Sequence, residues 1–178
     1  MNAQGALVFI VETLMSLFVL TYLLRFIAQL VRANFYNPLM QAIVNITNPI
    51  VMPLRRVIPG WGGADLASLF AAFFFEVLMI GLLFFISSGQ VPEPLPLLLS
   101  GLLRLVDMTL MLYFFLILFG VIISWVQVDP RNPFVALIYQ FIDPVLRPVR
   151  RLIPPIGGLD FSPFILLIGL QALRILLQ

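Results

Sequence analysis

Cysteine, histidine and lysine are all absent from this 178-residue chain. Without cysteine there is no disulfide, no thiolate nucleophile and no thiolate site for zinc or an iron–sulfur cluster. Without histidine there is no imidazole base, no triad of the usual kind and no axial haem ligand of that type. All ten cations are arginines, whose planar guanidinium forks onto phosphate and carboxylate. Charge of either sign is scarce. Only 10% of residues are charged and 62% are hydrophobic, against about 25% and about 45–50% in soluble domains. Mean hydropathy is +1.11. So few charges cannot cover a soluble surface, and the chain reads as an integral membrane protein. The net charge of +2 is too small and diffuse for nucleic acid, and nothing calls for a metal or cofactor.

What the chain has instead is long apolar runs. A bilayer core takes about 20 apolar residues in a helix. Residues 6–31, 66–86, 108–128 and 161 onward meet that length, with Glu12 and Arg25 in the first, Glu76 in the second, and Gln171 and Arg174 in the last. Residues 95–107, carrying Arg104 and Asp107, are expected at the interface. The fold class is therefore all-α, with four transmembrane helices. The first run has no basic residue ahead of it and is longer than a signal-peptide core, so it is expected to be retained.

Arginine placement sets the orientation. Arg32, Arg55 and Arg56 lie between spans one and two, and Arg131, Arg147, Arg150 and Arg151 between spans three and four, while residues 87–94 have none. Seven of ten cations thus fall on one side, expected to be cytoplasmic, with both termini outside and the chain in a bacterial inner membrane.

The chain also repeats itself. Displaced by 95 residues, 37–65 matches 132–160 at twelve of twenty-nine positions. Asn37, Pro38, Pro49, Pro53, Arg55, Arg56, Pro59, Gly62, Gly63 and Asp65 match Asn132, Pro133, Pro144, Pro148, Arg150, Arg151, Pro154, Gly157, Gly158 and Asp160, and two isoleucines complete the set. The expected organisation is repeat one over 1–88, a linker over 89–96 and repeat two over 97–178. Each repeat is a hairpin of two spans, and the two are parallel, related by an axis along the membrane normal.

The shared segment has a readable local physics. Asn132-Pro133 suits a helix N-cap followed by proline at the first helical position. Phe134, Leu137, Ile138, Phe141 and Ile142 then form a helical stripe, predicting a short amphipathic helix on the cytoplasmic interface. Asp143-Pro144, or Asn48-Pro49 in repeat one, is expected to end it. Pro-x-Arg-Arg-x-Ile-Pro follows in both repeats, stiffening the backbone around paired guanidinia that can fork onto lipid phosphate. The Gly-Gly-x-Asp that comes next permits a sharp turn. Asp160 or Ser162, backed by Pro163, is expected to cap the last helix.

Asn132-Pro133-Phe134, the run from Asp143 to Pro154, and Gly157-Gly158-Leu159-Asp160-Phe161-Ser162-Pro163 together resemble the YggT family of small membrane proteins. The resemblance spans nearly the whole chain, since proteobacterial members carry two tandem copies. Repeat one departs from the pattern, with Ala67-Ser68 for Ser-Pro, Asn48-Pro49 for Asp-Pro, and Trp61 in the glycine turn. The resemblance implies roles of three kinds: cell division and envelope organisation, haem attachment and thylakoid organisation in plastid relatives, and osmotic and potassium balance. It brings no catalytic residue with it.

Ionisable groups at membrane depth are costly and become functional candidates. Glu76 and Gln171 are 95 apart, as are Glu12 and Asp107. The first pair is expected to meet near the repeat axis, with Arg174 reaching Glu76; Arg25 is expected to snorkel to the cytoplasmic face. These groups lock helices together or line a cation route. The expected function is a non-enzymatic membrane scaffold or assembly factor. It would present Arg55, Arg56, Arg147, Arg150 and Arg151 to anionic lipid, to a membrane-protein partner or to another copy of itself. A small cation channel or ion-transport modulator is the alternative.

Overall fold

In the computed structural model the described residues are 3–126, 128–153 and 160–177, and they are helical almost throughout. The helices are α1 (Ala3–Leu30), α2 (Pro38–Val57), α3 (Leu66–Ser88), α4 (Pro94–Val126), α5 (Pro133–Leu152) and α6 (Ser162–Leu176). The helices α2 and α5 begin and end 95 residues apart, so the sequence repeat recurs in the element boundaries. The chain divides into two compact units. The first is Met1–Phe26 with Ile43–Val106, and the second is Ile27–Ala42 with Asp107–Gln178.

Three helices are long and apolar enough to cross a membrane: Gly5–Leu30, Leu66–Ser88 and Pro94–Val126. Two differences from expectation follow. The third is one unbroken helix of 33 residues, about 50 Å long, so residues 95–107 are continuous with the apolar run that follows them. The last, α6, has 15 residues, about 22 Å, against a hydrocarbon core of about 30 Å. Its N-cap is Phe161, which makes no side-chain cap, so neither Asp160 nor Ser162 holds the expected cap position; Asp160, one residue earlier, accepts from the Ser162 amide at 2.9 Å.

The helices α2 and α5 differ more sharply from expectation. Each runs 20 residues straight through its two prolines, Pro49 and Pro53 or Pro144 and Pro148. A proline removes one ladder hydrogen bond and crowds the carbonyl four residues back. All four prolines are exposed, so the orphaned carbonyls lie on the face where water or lipid headgroups can satisfy them. The opposite face is buried through Met40, Thr47 and Val51 in α2, and through Val135, Ile138, Ile142 and Leu146 in α5. Burial of that face holds the helix together across the broken ladder.

In the first unit, α3 turns a face of small residues inward. Ala67, Ser68, Ala71 and Ala72 are fully or almost fully buried, as are Glu76 and Met79. Small side chains let helix backbones approach closely, the usual means of association where lipid is as apolar as leucine. Phe18, Tyr22 and Phe75 pack as an aromatic trio with ring centroids 5.0–5.5 Å apart. Gly101 of α4 lies so close to α3 that a Cβ there would come within 2.5 Å of a Val77 methyl. In the second unit, Ile117, Ile138, Ile142, Leu146 and Leu170 form the core, joining α4, α5 and α6.

Overpacking a close helix crossing typically costs about 1–3 kcal/mol. Gly101→Leu is therefore expected to lower the midpoint of thermal unfolding in detergent, whereas Leu99→Ala on the exposed side of α4 should leave it nearly unchanged.

Candidate functional site: the arginine–aspartate corners

Each amphipathic helix ends at a corner built on one ion pair. In the first unit, Arg55 near the end of α2 grips Asp65 with two hydrogen bonds, Nε to Oδ1 at 3.2 Å and Nη2 to Oδ2 at 2.6 Å. Asp65 is also the N-cap of α3, accepting from the Ser68 amide at 3.4 Å and from its hydroxyl at 2.5 Å. Between them the chain reverses through Gly62 and Gly63, at φ 60° and 86°. A two-residue hairpin with both central residues left-handed needs this dipeptide, and Trp61 and Ala64 exchange both backbone hydrogen bonds across it. Trp61 itself is exposed.

Arg25 of α1 completes this corner. Its Nη1 donates to Thr47 Oγ1 at 2.6 Å and to Asn48 Oδ1 at 3.0 Å, and its Nε lies 3.6 Å from Asp65. Arg25 therefore does not snorkel to water. Its guanidinium is buried because α2 and Asp65 supply the acceptors that solvent would have supplied.

The second unit repeats the pair at the same spacing. Arg150 Nε donates to Asp160 at 2.8 Å, and Nη1 reaches Asp143 at 3.4 Å. Asn132 caps α5, accepting from the Phe134 amide at 2.9 Å with Pro133 behind it. Asn37 does the same for α2 through the Leu39 amide, and its own amide donates to the Pro133 carbonyl at 2.7 Å. The Asn34 amide donates to the Gln140 side chain at 2.6 Å, so the approach to α2 is tied to α5.

Burial raises the pKa of both aspartates. The hydrogen bonds from Arg55 and Ser68 outweigh it at Asp65, and those from Arg150 and Ser162 outweigh it at Asp160, so both carboxyls stay below the usual aspartate value.

The paired arginines thus divide their roles. Arg55 and Arg150, both expected to bind lipid, are ion-paired with Asp65 and Asp160 and keep one side exposed. Arg56, Arg147 and Arg151 are exposed and hold no hydrogen bond or ion pair with the described residues. Pro59 lies exposed beyond the end of α2. Pro154, Gly157 and Gly158 lie outside the described residues. Pro163 stands in the first turn of α6.

The charges at membrane depth pair within each unit. Arg104 bonds Glu12 and lies 3.2 Å from Glu76, which is fully buried. Asp107 receives two hydrogen bonds from Arg174, at 2.7 and 3.1 Å. Arg174, expected to reach Glu76, gives both of these hydrogen bonds to Asp107. Gln171 is exposed whereas Glu76 is buried, so these two are not an equivalent buried pair. Among the described residues no group of three acidic, cysteine or histidine side chains could hold a metal.

A profile of the CCB3/YggT family matches the chain twice, over residues 4–86 and 99–178. The chain belongs to the CCB3/YggT family. Similar proteins include an uncharacterized protein of Pseudomonas aeruginosa, 44% identical over 96% of this chain and 87% of its own length. The uncharacterized protein YggT of Escherichia coli K12 is 39% identical over 96% and 88%. A Haemophilus influenzae protein is 30% identical over 88% and 83%. No solved structure matches. Within the CCB3/YggT chain, the residues that sequence reading missed are the acceptors Thr47, Asn48, Ser68 and Asp143. A signal for the corner itself was present: an arginine and an aspartate stand ten residues apart in both repeats.

Two outcomes follow from these pairs. Because both aspartates have a lowered pKa when folded, their stabilisation is present above the ordinary aspartate value near pH 4 and is lost as pH falls through the folded values. Unfolding midpoints in detergent should fall between pH 5 and pH 2, and less steeply in D65N/D160N; equal slopes would refute the linkage. Arg104→Gln leaves Glu76 buried without its cation, an arrangement costing about 3–5 kcal/mol in other proteins. R104Q/E76Q should recover much of that loss in the same unfolding measurement.

Proposed function

We propose that this protein is a non-enzymatic integral membrane scaffold or assembly factor. It spans a bacterial inner membrane four times as two tandem repeats, 1–88 and 97–178, joined by 89–96. Both amphipathic helices lie on the cytoplasmic side and both termini lie outside. The short α6 acts as the fourth span by local thinning of the bilayer, which costs fractions of a kcal/mol per Å of mismatch. The observation that carries this reading is the division of labour at each Arg-Arg pair. The first arginine is tied to the aspartate ten residues on, and the second is left exposed at the end of a rigid amphipathic helix.

Arg56, Arg147 and Arg151 are then the groups offered to anionic lipid phosphate, to a membrane partner, or to a second copy of the chain. An arginine near an anionic surface contributes about 1 kcal/mol. The alternative role in osmotic or potassium balance through a cation route has less support, because Glu12, Glu76 and Asp107 each face an arginine.

Purification of R56Q/R147Q/R151Q from a membrane containing phosphatidylglycerol tests the reading. Three such contacts, if additive, correspond to roughly a hundredfold in affinity, so co-purifying phosphatidylglycerol should fall at least about tenfold while insertion and unfolding midpoint are retained. Unchanged lipid content would sink it.

A further inference from the structure

The two repeats differ where their corners meet the membrane. At the 95-residue offset, Arg25 of the first unit becomes Gly120 of the second, Thr47 becomes Ile142, and Asn48 becomes Asp143. In the first unit the Arg25 side chain fills its place and bonds Thr47 and Asn48. In the second unit no arginine stands there, and Ile142 packs directly against Gly120. A cavity of about 470 Å³ opens instead, lined by Ile117, Gly120, Trp125, Tyr139, Phe164 and their neighbours, with Arg150 and Asp160 on its wall. That volume is within the range of small-molecule sites, about 300–1,000 Å³.

The charge balance changes with it. Asp65 of the first unit faces two guanidinia, Arg25 and Arg55, and its neighbour is the neutral Asn48. In the second unit a single guanidinium, Arg150, is shared between two carboxylates, Asp160 and Asp143. The first corner is therefore one positive charge in excess and the second one negative charge in excess. Residues 154–159, between them in sequence, carry no charge. Asp160 remains 35% exposed where Asp65 is 3%, so it has room for another donor.

We propose that this cavity binds an amine-bearing phospholipid. Its ammonium takes the place that the Arg25 guanidinium occupies in the first unit and donates to Asp160. Its phosphate meets the exposed side of Arg150, and an acyl chain lies along the apolar and aromatic wall. Aromatic faces also attract an ammonium directly. The apolar wall favours a lipid over a soluble amine, and the membrane setting supplies one. Arg56, Arg147 and Arg151 are not needed for this site, so it stands apart from the anionic-lipid reading.

Native mass spectrometry of the full-length protein, with phosphatidylethanolamine, phosphatidylcholine or phosphatidylglycerol added, tests the proposal. Choline has the same charge as ethanolamine but no N–H to donate. A charge-assisted hydrogen bond is worth about 1.5–3 kcal/mol, so wild type should retain phosphatidylethanolamine at least about tenfold over phosphatidylcholine. G120R/I142T reproduces the first unit's residues in the second. It also removes the Ile142 methyl that lies 2.5 Å from where a Cβ at position 120 would stand. This variant should lose the ethanolamine preference while keeping its phosphatidylglycerol binding, which reports that it is folded. D160N should lose the preference as well.

Equal retention of the ethanolamine and choline lipids by wild type overturns the proposal, as does a preference that survives in G120R/I142T. Competition by soluble phosphoethanolamine as effective as by the lipid overturns the acyl-chain part. Loss of phosphatidylglycerol binding confined to R56Q/R147Q/R151Q bears only on the scaffold reading.

Discussion

The constraint on which the rest depends is the ion pair that closes each corner. A helix that carries two prolines has lost ladder hydrogen bonds, and its end must be held by something else. Arg55 holds it to Asp65, and Asp65 in turn starts α3 through Ser68. One carboxylate therefore fixes both the end of an amphipathic helix and the beginning of an apolar one. Arg150 and Asp160 repeat the arrangement before α6. Removing the aspartate takes away both the hydrogen bonds at the helix start and the arginine's counter-charge.

From that constraint the division of the arginines follows. Had both members of each pair been free, the corner would have had no anchor; had both been paired, the helix end would present no charge. The first guanidinium points back to the aspartate, and the next residue, about 100° further round the helix, faces outward. The same economy governs the membrane-depth charges, where Arg104 serves two carboxylates and Arg174 one. Paired, these groups join helices in a setting where hydrophobicity drives no association between helices.

The repeats share a scaffold and differ in what fills it. A buried arginine stabilises the first corner from within, and glycine at the matching position leaves the second open. Such divergence is expected where one copy maintains the corner and the other keeps room for a ligand.

The sequence by itself determined membrane residence, helical class and family, because these rest on composition, on apolar run length and on a long motif repeated at a fixed offset. The caps at Asn37 and Asn132 and the left-handed glycine turn were equally legible, since each depends on neighbours within a few residues. Only the tertiary structure decided that α2 and α5 run through their prolines, because the helix survives there by burying its opposite face. It also decided the ion-pair partners. Arg104 with Glu12 and Glu76, and Arg174 with Asp107, join residues 28–92 positions apart. Neither periodicity nor repeat symmetry specifies which carboxylate a flexible guanidinium will reach. The cavity beside Gly120 is of the same kind, since an absent side chain acquires meaning only from the walls that other helices place around it.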